Sequence, residues 1–139
     1  MRGVLDVGHG SRQSPTKHPL ETIAEMLRAA LFEASPDMVI ATAYLGFGER
    51  DIANGLSALA AQGAREIAVV PCFLFDGVHL SVNIPKEVEL YRLAHPEMTI
   101  EIAGPLGTDE RLAAILMDRV HECFDSQSTW KLTKAEREK

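Results

Sequence analysis

No apolar run in the 139-residue sequence approaches the roughly 18–20 residues that a membrane-spanning helix needs. No membrane partner is therefore expected. Cysteine is scarce: Cys72 and Cys123 are the only two, and they form no CxxC. A disulfide framework is not expected on that count, and no four-ligand cluster of the kind a structural zinc site needs is visible. The two thiols are expected to be buried, one in a core strand and one in a helix, in a reducing cytoplasmic setting. Positive charge is in deficit, with a net charge of −6, so nucleic acid and anionic membrane are not the expected partners. An acidic ligand would need a local basic rim or backbone N–H groups. The glycines follow neither GxGxxG nor GxxxxGK[ST], and no GxSxG elbow supports a serine nucleophile. Internal repeats and low-complexity linkers are absent too, and MRGVLDVGHG turns polar too soon for a signal peptide.

What remains is an ordinary globular composition, 46% apolar and 24% charged, in a chain long enough to bury one core. The longest informative stretch is VVPCFLFDGVHLSVNIP, Val69 to Pro85, which continues an apolar run beginning at Ile67 and lasting to Phe75. Such a run suits a strand buried on both faces of a parallel sheet. Val4–Val7, Met38–Leu45 and Met98–Ala103 supply three more strands. Between them, Leu20, Ile23, Leu27 and Leu31 recur at helical spacing over 19–34, as do Ile52, Leu56 and Leu59 after Glu49, Arg50 and Asp51. Gly63 supplies a helix stop. Ile84, Val88 and Tyr91 mark a third helix with Pro85 early in it. Gly104–Gly107 is a turn, Thr108 a candidate N-cap, and Leu112, Ile115, Leu116, Val120 and Phe124 line a last helix. The order βαβαβαβα predicts an α/β fold: a flavodoxin-like, parallel four-stranded sheet with helices on both faces, as a single module. That domain is expected over 1–125, followed by a charged tail over 126–139. So small a sheet leaves surface for a second copy, and a homodimer is expected.

Ligands in such sheets bind beyond the carboxyl ends of the strands. Two strand-end loops there each carry one histidine beside glycine: His9 in VGHGSR and His79 in DGVHL. The first and third strands are commonly neighbours, which would set the two across one cleft. Paired neutral imidazoles suit a first-row divalent metal and equally suit proton transfer near neutral pH. Each taken singly also fits a purely structural loop histidine. His18, His95 and His121 fit surface or helix-end roles. Asp6 is anomalous inside an apolar strand: it is either a strand-end carboxylate bonded to loop amides or a charge aimed at the same crevice as His9.

The segments VGHGSR, AYLGFGERDIANGL, VVPCFLFDGVHLSVNIPKEV and GPLGTDERLAAIL, in that order, resemble the sirohydrochlorin chelatase family over most of residues 3–120. The resemblance implies a small chelatase-like domain that inserts Co²⁺, Ni²⁺ or Fe²⁺ into sirohydrochlorin or a related tetrapyrrole. No cofactor is then permanently bound; the divalent metal and the tetrapyrrole are substrates. It also implies that His9 and His79 hold the ion and accept protons from the macrocycle. Donors for the substrate's carboxylates would be Ser11, Arg12 and the amides around Gly10 and Gly77. Lys17, Arg50 and Lys86 are candidates for a basic rim, although surface ion pairing suits each of them. Where relatives carry glutamate after the second strand, this chain has Gly46 in Tyr44-Leu45-Gly46. Glu49 matches a second acidic position of that loop, and Glu49 or Asp6 is the candidate replacement. The departure also leaves open a tetrapyrrole- or metal-binding protein without turnover.

Overall fold

The structure is a computed structural model that describes residues 1–9, 19–45 and 50–125, with His79 as backbone alone. Gly10, Ser11, Arg12, Lys17, His18, Gly46 and Glu49 lie outside the described residues, as does the stretch 126–139. The element order is β1 Arg2–His9, α1 Pro19–Ala34, β2 Val39–Leu45, α2 Ile52–Ala61, β3 Glu66–Pro71, a π-helix His79–Asn83, α3 Ile84–Ala94, β4 Thr99–Ile102 and α4 Glu110–Phe124. The four strands form one parallel sheet in the order β2-β1-β3-β4. Parallel neighbours need crossover connections, and α1, α2 and α3 supply them. The expected α/β architecture is observed.

Strand alternation sorts the side chains into two layers. Leu5 and Val7 of β1, Ala43 of β2 and Val69 of β3 pack with Ile52, Leu56 and Leu59 of α2 and with Ile84, Val88 and Tyr91 of α3. On the opposite face Val4 and Ile40 pack with Ala24 of α1. Removing the larger of these layers from water supplies most of the stabilisation, at roughly 25 cal/mol per Å² of apolar surface. Gly55 permits the close approach of α2, because a Cβ there would fall 2.5 Å from Leu5 Cδ1. Asp51 caps α2 by accepting from the Asn54 N–H at 2.9 Å. Gly63, at φ +101°, ends that segment in the left-handed conformation open to glycine.

Some expectations need correction. The third strand stops at Pro71, short of Phe75. Beyond it the Phe73 and Leu74 carbonyls accept from Leu106 and Gly107, holding a loop that leaves Leu74 and Phe75 exposed. Ile23 is not a core residue of α1; it is exposed. The cysteines are free, but Cys72 is only partly buried and Cys123 is exposed. Residues 1–107 form one compact unit and a second begins at Thr108. In the second, Asp109 rather than Thr108 caps α4, accepting from the Arg111 N–H at 2.9 Å. A carboxylate at that position also suits the helix dipole. Among the described residues no helix is long and apolar enough to cross a membrane.

Candidate functional site

β1 reaches its carboxyl end at His9, paired in register with Leu45 of β2. The strand is longer than the sequence pattern implied, so His9 is its last residue and not a loop residue. On the other side Val7 pairs with Pro71 of β3, and the Cys72 N–H donates to the Val7 carbonyl at 2.7 Å. The carboxyl ends of β1, β2 and β3 thus lie side by side. Between them opens a cavity of about 310 Å³ whose walls include Gly8, His9, Leu20, Tyr44, Cys72 and Phe73. Exposed Ile23 lies at this crevice too. Gly8 is required here: Leu20 already fills the space a Cβ would take, with Cδ2 2.8 Å from that position.

His79 opens the π-helix that runs into α3. The Ser81 N–H donates to the Gly77 carbonyl at 2.8 Å. Pro85 lacks the N–H that would continue an α-helical ladder backwards, which accounts for the wider turn at this point. π-turns of this kind recur at functional sites. β1 and β3 are adjacent, so His9 ends one of two neighbouring central strands and the segment bearing His79 follows the other. Gly77 is exposed, and a Cβ there would meet nothing within 4 Å. Its value to a ligand would be accessible backbone. Among the described residues no group of three or more His, Cys, Asp or Glu side chains gathers as a metal cluster.

Asp6 lies in the middle of β1 and is 4% exposed. It is therefore not the strand-end carboxylate of the simpler expectation, and no hydrogen bond from a described amide reaches it. Burial pushes its carboxyl up to about 6. Burial also raises the Cys72 thiol, and the Asp6 charge adds to that rise. The Tyr44 phenol is raised chiefly by burial, with Glu21 and Asp6 raising it further against the opposing charge of Arg50. Tyr44 and Cys72 line the candidate site, and the sequence pattern did not single them out. The available signal was strand alternation, which sets residues 44 and 72 on the Asp6–Gly8 face at strand ends.

Arg50 is engaged at the edge of the sheet. It pairs with Glu21, donates to Thr42 Oγ1 at 3.1 Å and lies 5.2 Å from the Tyr44 ring centroid. A larger cleft of about 510 Å³ runs there between α1 and α2, with Arg28 and Arg50 in its wall. Arg28 is likewise paired with Glu25, so this cleft presents balanced charge and not an open cationic surface. His95 has a structural role: its Nδ1 lies 3.0 Å from the Tyr91 carbonyl, and its ring stacks on Tyr91.

Comparison with known proteins agrees with this fold. The chain is 33% identical over 128 residues to a sirohydrochlorin cobaltochelatase of Sulfurisphaera tokodaii, covering 92% of this chain and 98% of that protein. It is 31% identical over 122 residues to a sirohydrochlorin ferrochelatase of Priestia megaterium, covering 88% of this chain but 44% of that longer protein. The crystal structure of the sirohydrochlorin chelatase SirB from Bacillus subtilis subspecies spizizenii in complex with cobalt superposes with a TM-score of 0.71 at 28% identity. That match covers 87% of this chain and 50% of SirB, so the chain spans about half the length of some relatives and nearly all of others. The family model described as CbiX matches residues 3–123, and a chain matched over that much of its length, on this sheet and with a histidine at its crevice, belongs to the CbiX family.

Proposed function

We propose that this protein is an ATP-independent metal chelatase. It inserts a divalent ion (Co²⁺, Ni²⁺ or Fe²⁺) into sirohydrochlorin or a related tetrapyrrole. The observation that carries the reading is His9 at the end of β1, in the wall of a crevice flanked by β2 and β3, in a chain of the CbiX family. Insertion removes two pyrrole N–H protons and replaces water around the ion with ring nitrogens. The nitrogens keep the N–H electron pairs for the metal, so the reaction calls for bases and a metal-delivery point and needs no nucleophile. His9 and His79 take both parts, holding the ion and then accepting protons. Gly10, Ser11, Arg12 and Gly77 bind the carboxylates of the macrocycle, and Glu49 assists in the loop after β2. Residues 1–125 act as one module and 126–139 as a tail. The protein works in the cytoplasm as a homodimer, a state supported by the twofold length of some relatives.

Gly46, in place of an expected glutamate, motivates a second reading: a tetrapyrrole- or metal-binding protein without turnover. An anaerobic absorbance time course of sirohydrochlorin with each ion separates the two. Metallation accelerated by the wild type and lost in both His9→Ala and His79→Ala is the expected result. A spectral shift without acceleration for any of the three ions would refute the chelatase and favour the binding protein.

A further inference from the structure

Among the described residues Asp6 is the buried charged side chain. It shares the α1 face of the sheet with Thr42 and Tyr44 of β2 and with Val70 of β3, and Cys72 follows just past the end of β3. In register Asp6 lies opposite Thr42 and Val70, and Gly8 opposite Tyr44. Asp6 therefore sits one pleat below the crevice floor of Gly8, Tyr44 and Cys72, on the strand face where Leu20 of α1 packs at Gly8 and Ala24 packs with Val4. Its charge reaches both Tyr44 and Cys72 in that wall.

The other charges around this position are largely compensated. From α1, Glu21 is paired with Arg50 and Glu25 with Arg28. β2 contributes the Tyr44 phenol and the residue just after β3 the Cys72 thiol, while His9 alternates to the other face of β1 with Leu5 and Val7. No described cation pairs with Asp6. A carboxylate held in an apolar layer without a counter-charge projects its field further than an exposed one, because little water lies between to screen it.

We propose that Asp6 is a positioning residue for metal insertion: a buried anion one pleat beneath the crevice floor of Gly8, Tyr44 and Cys72 whose field holds the incoming dication in place. The proposal deepens the chelatase reading and rests on it. It also couples metal entry to proton release. Near pH 6 part of the Asp6 population carries its proton; a dication entering above favours the carboxylate, the O–H bond breaks and the proton passes to the buffer.

The test is calorimetric titration of the protein with Co²⁺ alone at pH 6 and pH 7.5, in two buffers of different ionisation heat. The wild type is compared with Asp6→Asn and Asp6→Glu, alongside the metallation rate from pH 5 to 8. Asp6→Asn is expected to bind Co²⁺ on the order of tenfold more weakly at pH 7.5. At pH 6 it releases fewer protons than the wild type, and its rate profile loses the wild-type rise through pH 6. Asp6→Glu recovers part of the affinity. Circular dichroism melts confirm that the variants are folded, and a purely structural Asp6 would leave proton release unchanged. Equal Co²⁺ affinity and equal proton release in the wild type and Asp6→Asn would overturn the proposal, even if the wild type metallates sirohydrochlorin. Asp6-dependent Co²⁺ binding without metallation would instead overturn the chelatase reading and uphold Asp6 as the anion of the metal site.

Discussion

Asp6 also has a consequence for stability that is independent of catalysis. Burial moves its carboxyl from 3.8 to about 6, so the folded state keeps its proton to higher pH than the unfolded chain does. The favourable contribution is complete below pH 3.8, falls as pH rises toward 6, and is gone above it. A displacement of about two units corresponds to about 3 kcal/mol over the whole range. Between pH 4.5 and 7.5 about 2 kcal/mol of that remains to be lost. Asp6→Asn cannot ionise, and whatever its amide costs in the same environment is independent of pH. The difference in unfolding free energy between variant and wild type should therefore shift by about 2 kcal/mol in favour of the variant across this interval. Urea unfolding at pH 4.5 and 7.5, followed by far-UV circular dichroism, measures the double difference. A difference that stays constant between the two pH values would refute the reasoning, because it would mean that Asp6 is solvated or partnered in solution.

Two further outcomes follow from glycines in tight places. Gly55→Ala should destabilise by about 1–3 kcal/mol despite the helix propensity that alanine adds, because the new methyl would meet Leu5 Cδ1 at 2.5 Å in a fully buried layer; thermal melts check this, and unchanged or higher stability would show that Leu5 repacks freely. Gly8→Ala would push Leu20 away from the crevice floor it packs on, because its Cδ2 lies 2.8 Å from the added Cβ. The expected result is weaker Co²⁺ binding together with a loss of stability of about 1–3 kcal/mol, measured by calorimetry and urea unfolding.

Much of this protein was legible in its sequence because the decisive patterns are local. Ile52, Leu56 and Leu59 fall on one helical face and all three are fully buried. The alternation of apolar strands with helical stripes left few topologies other than a parallel sheet. The candidacy of the histidines came from the same logic, since ligands in parallel sheets bind beyond the carboxyl ends of the strands. Where local pattern misled, a non-local contact was responsible. Leu74 and Phe75 continue an apolar run, yet Leu106 and Gly107 capture the carbonyls of Phe73 and Leu74 and hold the chain out of the sheet. Ile23 has the spacing of a core residue, but α1 meets the sheet through Leu20 and Ala24 and leaves Ile23 at the crevice.

Composition and periodicity by themselves determined the fold class, the element order and the candidacy of His9 and His79, because each depends on residues close together in the chain. Only the tertiary structure decided which strands are neighbours, and hence that Tyr44 and Cys72 share a wall with His9 above Asp6. The state of Asp6 belongs to that second kind. A carboxylate in a strand is ambiguous until the helix above it is placed, and it is the packing of α1, through Leu20 at Gly8 and Ala24 at Val4, that leaves it a buried anion beneath the crevice.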